Sequence, residues 1–334
     1  MAGWNSGRAG GNGWWRHRNG GYGWVGPLFW PFAYYDMYDY ALWGDDYDTS
    51  LWGYGYGDIY AGMFTPYSYD DLAGYVPLYA SVNRHIPGHA ARARATPTAA
   101  FDQLLSMCGE DSRDIAGLPI DQVQQAIQPT EPQSAALDNL ANASAKAAQD
   151  TKAACPTTIS LTAPDRLATM QKRIEAMIAA VETVQPPLEK FYGLLSDEQK
   201  ARLTALGKDQ RESQTAQGTA GSLAQNCGTA QLGVTDWPAA KIGQKVRPTE
   251  AQHASLVALE SATAKAAEML KASCALENPL TPPARLAAVG ERLRTMLQAV
   301  KTVHSALNSF YGKLDDEQKA QFETLGLQQA SQAD

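Results

Sequence analysis

The residues of this chain that could carry chemistry are few and recur in register. Four cysteines stand at Cys108, Cys155, Cys227 and Cys274, and the spacing within each half is the same, 155 − 108 = 47 and 274 − 227 = 47. One reading is a disulfide in each half, Cys108 to Cys155 and Cys227 to Cys274, closing loops worth about 3 to 4 kcal/mol on a chain-entropy account and pointing to an oxidising compartment. The other is buried free thiols packed as small apolar groups. No Cys-x-x-Cys or His-x-x-x-His spacing accompanies them, so a zinc site is not expected. His253 and His304 are lone residues whose first-half counterparts are Ser134 and Gln185. Glu198 and Glu317 are the carboxylates best placed to resemble an acid or base, yet both sit where first-turn acids belong in a capped helix. There is no Gly-rich phosphate loop and no nucleophile elbow. The expectation is a protein that is not an enzyme and takes neither metal nor cofactor.

What positions these residues is a duplication. Phe191-Tyr192-Gly193-Leu194-Leu195-Ser196-Asp197-Glu198-Gln199-Lys200-Ala201 returns as Phe310-Tyr311-Gly312-Lys313-Leu314-Asp315-Asp316-Glu317-Gln318-Lys319-Ala320, an offset of 310 − 191 = 119. The same offset relates the cysteines, Pro129-Thr130-Glu131 to Pro248-Thr249-Glu250, and Leu161-Thr162 to Leu280-Thr281. A repeat of this length is a duplicated domain and not a solenoid. Four stretches in it read as helix starts. Ser196 with Gln199, Asp315 with Gln318, Thr130 with Gln133 and Thr249 with Gln252 each place a capping side chain three residues before a Gln able to reach back to the cap. Leu195 and Leu314 precede the second cap of each half.

The longest helical signals follow from apolar spacing. Leu167, Met170, Ile174, Met177, Val181, Val184, Leu188 and Phe191 alternate steps of three and four, and Leu286, Val289, Leu293, Met296, Val300, Val303, Leu307 and Phe310 repeat them. Such a seam specifies a long helix with one apolar stripe. The Ala-rich stretch from Thr130 to Ala154, with Leu137, Leu140, Ala147, Ala148 and Thr151 on one face, is the expected partner. Each unit is then a long antiparallel hairpin, extended by the short helix that begins at Ser196 or Asp315. The units differ at Pro186-Pro187, which stand where the second unit has Ser305-Ala306; the sequence predicts a kink or break near Gln185 in the first unit only. Trp237, at the position of Leu118, is expected in the core.

The fold class is therefore all-α: two tandem homologous helical units, preceded by an irregular aromatic and Gly-rich segment. The boundaries read as a Gly/Trp/Arg tail over 1–21, an aromatic segment and linker over 22–98, units over 99–207 and 220–328 joined by a linker at 208–219, and a tail at 329–334. Seven of the eight Trp precede Gly53 and thirteen of the fifteen Tyr precede Ser81, whereas the first Lys is Lys146. This head has too much aromatic surface for ordinary disorder. It reads as a clamp on the helical body, as an interfacial anchor touching a membrane surface, or as a sticky patch for unfolded clients or glycans. A transmembrane helix over Trp24 to Trp43 is not expected, because Pro27, Pro31, Asp36 and Asp39 interrupt it. Net charge of −7 argues against nucleic acid as a partner. Met1 to Tyr22 has no apolar stretch after Arg18, so an export signal is expected to have been removed or to lie outside this numbering.

Leu195-Ser196-Asp197-Glu198-Gln199 and Leu314-Asp315-Asp316-Glu317-Gln318 resemble the LTxxQ motif, with Ser or Asp in place of Thr. Together with the preceding Phe-Tyr-Gly and the long hairpins, they make residues 100 to 328 similar to the Spy/CpxP-type family of small helical periplasmic proteins, here in a tandem form. The resemblance implies a periplasmic, ATP-independent chaperone or envelope-stress protein whose partners are unfolded or envelope proteins. Candidate client contacts are Lys172, Arg173, Arg292 and Arg294 near the seam and Trp30, Trp43 and Trp52 in the head. The alternative is a structural or adaptor protein of the envelope, anchored by the head.

Overall fold

The computed structural model describes residues 41, 56–64, 120–154, 162–212, 237–273 and 279–325, with the side chains of 56–58, 61 and 207–212 excepted. The four cysteines, Trp30, Trp43 and Trp52 lie outside them.

Among the described residues the chain is helical, without strands. Helix α1 (Tyr56–Phe64) belongs to the aromatic head. Unit one contains α2 (Ile120–Ile127), α3 (Glu131–Ala153), α4 (Ala163–Gly193) and α5 (Asp197–Glu212). Unit two repeats them as α6 (Ala239–Lys245), α7 (Glu250–Ala272), α8 (Pro282–Tyr311) and α9 (Asp316–Glu323). All sixteen seam residues of α4 and α8 are buried, and so are Leu137, Leu140, Ala147, Ala148 and Thr151 of α3. The spacing of three and four thus became the core. Thr162 and Thr281 start the long helices by accepting from the Asp165 and Ala284 N–H groups, each with Pro in the first turn.

The long helices pair as hairpins, α3 with α4 and α7 with α8, and then join through the most extensive contact of the molecule, α4 against α8. The order is α3, α4, α8, α7 in a single layer, with one core running through both units. The α4 to α8 pairing is antiparallel and has an internal two-fold. Glu175 pairs with Lys301 at 3.1 Å and Glu182 with Arg294 at 3.2 Å. Positions 175 and 294 are equivalent (294 − 175 = 119), and so are 182 and 301 (301 − 182 = 119), so each ion pair is the other with the units exchanged. Between them Ile178 and its counterpart Leu297 are partly buried against the core. Close approach relies on Gly290, where a Cβ would sit 3.2 Å from Val181.

The expected break at Gln185 is absent. Helix α4 is continuous from Ala163 to Gly193 with Pro186 and Pro187 inside it. Val184, Leu188 and Phe191 on either side of the prolines are buried, whereas Pro186 is exposed and Pro187 half-buried. The rings therefore lie toward water, and so do Glu182 and Thr183, whose carbonyls lose their helical donors and can be hydrated. The core holds the helix through the fault.

The head joins at the unit junction. Helix α1 buries Ile59, Tyr60, Met63 and Phe64 and packs on α4, α7 and α9. Phe64 contacts Trp237 edge-on with centroids 5.6 Å apart and Phe322 at 5.4 Å. Trp237 is half-buried against the core.

Candidate functional site

The motif residues converge on one corner in each unit. In unit one the backbone N–H of Thr130 donates to Gln133 Oε1 (2.9 Å) and that of Ser196 donates to Gln199 Oε1 (2.9 Å). The Gln199 N–H donates back to Ser196 Oγ at 3.3 Å. The two glutamines then bond to each other across 66 residues of chain: Gln133 Nε2 donates to Gln199 Oε1 at 2.7 Å and Gln199 Nε2 to Gln133 Oε1 at 2.9 Å. Their remaining donor capacity goes to Leu194 O (2.7 Å) and Ile127 O (3.0 Å). Both are 7 % exposed, and each amide oxygen accepts twice while each NH₂ donates twice, the full complement. The clasp ties the starts of α3 and α5 to the ends of α2 and α4, and Leu195 beside it is buried.

Unit two repeats it. Thr249 and Asp315 N–H donate to Gln252 and Gln318 Oε1 (2.8 and 3.1 Å). Gln252 and Gln318 exchange bonds at 2.8 and 2.9 Å. Gln252 also reaches Lys313 O (2.7 Å), and Gln318 reaches Val246 O (3.2 Å) and Arg247 O (3.4 Å). Gln318 Nε2 and Asp315 Oδ1 complete the corner, the latter accepting from Gln318 N–H at 2.8 Å, above a buried Leu314. Both corners hold a strained residue, Gln128 and Arg247, each at φ 48°, a left-handed backbone that the bonds around it over-determine. Around each corner Lys200 lies 5.5 Å from the Tyr192 ring and Lys319 6.0 Å from that of Tyr311.

Nothing in the clasp is suited to acid, base or nucleophile work: its polar groups are neutral amides with every bond made. Glu198 accepts from Ser196 Oγ at 2.8 Å, which holds its carboxyl below the usual range; it is a first-turn acid on the surface. Burial lowers the His304 imidazole, with Asp165 opposing. Burial, followed by the charge of Glu323 and a hydrogen bond to it, pushes the Tyr311 hydroxyl above the ordinary phenol range. No group of three or more His, Cys, Asp or Glu able to hold a metal occurs among the described residues.

Two of the four basic candidates for client contact are not on the surface. Arg173 is 1 % exposed and Arg292 3 %. Arg292 donates to Leu270 O and Ser273 Oγ, closing the C-terminal end of α7. Position 173 is equivalent to 292, and seven residues before them stand Arg166 and Arg285, also buried. A seven-residue step on a helix returns to the same face, so Arg166 and Arg173, like Arg285 and Arg292, line the seam. That step, present in both copies, was the signal that separates them from solvated charges. Lys172 is exposed. Arg294 is exposed too, but bonds Glu291 at 2.7 Å and Glu182 across the unit interface.

The family model described as "LTXXQ motif family protein" matches this chain twice, over residues 115–207 and 234–326. The starts differ by 234 − 115 = 119, the offset of the duplication, and the matches span more than half of the chain. The chain belongs to the LTXXQ motif family. No curated protein and no solved structure matches it. In this LTXXQ protein the Gln of each motif, Gln199 or Gln318, is one half of a clasp whose other half is Gln133 or Gln252; the motif's Leu is a core anchor, and the residue after it a helix cap. Among the described residues no helix is long and apolar enough to cross a membrane.

Proposed function

We propose that this LTXXQ protein is an ATP-independent, chaperone-like component of the cell envelope, working in the periplasm and holding unfolded clients along its helical layer. The observation that carries this reading is the layer itself. Four long helices lie side by side and do not close into a bundle. At 8 to 10 Å between axes and 1.5 Å per residue, two central helices of 31 and 30 residues flanked by two of 23 make a face roughly 35 Å across and about 35 to 45 Å long. A stretch of unfolded chain can cover that face without a pocket. Its exposed large apolar residues are scattered singly, as at Val257 and Leu280, which suits weak, distributed contact over one tight site. Lys172 and Arg294 stand at its surface. The family association with envelope proteins of helical, generally non-enzymatic character supports the same reading.

The test is light scattering from a chemically unfolded client diluted into buffer without nucleotide. Stoichiometric protein should suppress aggregation, and equal scattering with and without it would sink the proposal. Deleting residues 1–80 adds a second outcome: loss of envelope association with suppression intact would favour the adaptor reading.

A further inference from the structure

Helix α1 is nine residues long, too short to hold a helix by itself in water, so its order comes from its seat on the body. The seat takes it as a groove takes an amphipathic helix. Ile59, Tyr60, Met63 and Phe64, at steps of one and four, are buried. Gly62 lets the helix close on Leu167, since a Cβ there would come within 2.9 Å of it. At the helix end Arg166, itself 2 % exposed, donates from Nε to Gly62 O at 2.6 Å and from Nη2 to Met63 O at 3.2 Å. These are carbonyls that a helix C-terminus leaves without helical donors.

The body builds this seat by itself, and from both units. Arg166 of unit one pairs with Glu323 of unit two at 2.7 Å, and Glu323 also accepts from the Ala163 N–H at 2.8 Å and from the Tyr311 hydroxyl. Phe322 and Trp237 of unit two supply the wall against Phe64, with centroids at 5.4 and 5.6 Å. Phe322 is fixed in turn by Phe310 and Tyr311, each with its centroid 5.9 Å away. The guanidinium thus keeps its counter-charge and the wall its support without α1, which makes the seat a preorganised site. Nor does α1 meet every demand of it: the Trp237 indole N–H is buried with no hydrogen-bond partner among the described residues.

We propose that this groove binds short aromatic and apolar segments of unfolded clients, and that α1 is its resident occupant, an internal competitor that a client segment displaces. The inference rests on the chaperone-like reading above and adds to the distributed contact of the layer one defined seat, from which the rest of a client spreads. Two features define the segment it takes: large apolar residues at steps of one and four, and a small residue where Gly62 precedes Met63 and Phe64. The fork from Arg166 reads main-chain carbonyls, which every segment carries, so that end of the contact is indifferent to sequence.

The probe is a capped, fluorescein-labelled peptide of residues 56–64, read by fluorescence anisotropy against the full chain. Ile59→Asp with Met63→Asp places carboxylates at two α1 positions that are 0 % exposed and should empty the groove. That variant should bind the peptide about tenfold more tightly than the unaltered protein, whose tethered α1 competes. The same peptide carrying Gly62→Leu should bind the emptied variant about tenfold more weakly, because its side chain meets Leu167. In the scattering assay the emptied variant should suppress aggregation at a lower ratio to client, and excess peptide should remove that gain. Gly62→Leu in the chain is a second way to empty the groove. If neither variant unfolds cooperatively, α1 belongs to the core and the proposal falls. It falls equally if a folded, emptied variant ignores the peptide or does not distinguish the two peptides. Suppression that emptying the groove leaves unchanged would keep the chaperone-like function and overturn this site, whereas peptide binding with no suppression by either protein would overturn that function and uphold the groove as a peptide site.

Discussion

At the scale of residues, the LTXXQ corner is a hydrogen-bond device whose value depends on burial. Replacing Gln199 by Leu leaves the Ser196 N–H, Ile127 O and half of the Gln133 amide without partners in a 7 % exposed site. Buried polar groups so orphaned cost about 2–3 kcal/mol. Gln318 is half-buried, so Gln318→Leu should cost less, about 1–2 kcal/mol, because water can replace its bonds. Urea midpoints for the two variants check the order, and equal shifts would contradict it. The caps were legible because a cap and its Gln are three residues apart. The clasp was not, since its partners are 66 residues apart and carry no local signature. One hint was present: all four boxes use Gln where Glu caps equally well, and only an amide can both donate to and accept from its twin. A pH effect belongs to His304. Burial lowers its pKa from 6.5, so the folded state prefers the neutral ring. Its contribution to stability is whole above pH 6.5 and is lost as pH falls from there toward the folded value. His304→Gln, the residue unit one has at this place, should therefore flatten the loss of stability as pH falls below 6.5, as read by denaturant titration at several pH values.

The elements followed from periodicity wherever packing and local preference agree, and the one conflict was decided by packing. The sixteen apolar residues that steps of three and four named in α4 and α8 are all buried, because a stripe of that spacing has one place to go. Pro186-Pro187 argued locally for interruption, but Val184, Leu188 and Phe191 are buried around it and hold the helix continuous. The lost bonds are still a cost. Pro186→Ser with Pro187→Ala, which copies Ser305-Ala306, restores donors to the Glu182 and Thr183 carbonyls and should raise stability by about 1–3 kcal/mol, less than the sum for two interior prolines because a freer unfolded chain offsets part. Thermal unfolding of the double variant checks it, and an unchanged midpoint would mean that water already satisfies those carbonyls. The buried arginines were legible in principle from the seven-residue step that Arg166 and Arg173 share with Arg285 and Arg292. Reading each Arg singly as a surface charge hid it.

On the scale of the molecule, the duplication builds a two-fold from one chain, and that raises the question of why unit one pairs with unit two of the same chain. An interface that repeats itself is self-complementary, so two first units of different chains offer the same apolar face to each other. Charge distinguishes the pairings. Unit one has Glu175 and Glu182 where unit two has Arg294 and Lys301, and the observed contacts join the opposite signs at 3.1 and 3.2 Å. Two first units would oppose Glu to Glu and two second units Arg to Lys, which is selection by repulsion against wrong partners. These side chains are about half exposed, so each pair contributes about 0.2–1 kcal/mol, enough to bias pairing and not to hold the fold. Glu175→Arg with Glu182→Lys makes all four positions cationic and should lower stability by about 1–2 kcal/mol at low salt. Adding Arg294→Glu and Lys301→Glu reverses every sign while keeping every pair, and should recover most of that loss, with the gap between the variants closing toward 1 M salt, where the screening length falls to about 3 Å. Denaturant titration at two ionic strengths reads it: a fourfold variant no more stable than the double one would show that the ion pairs are bystanders and that packing alone sets the register of α4 on α8.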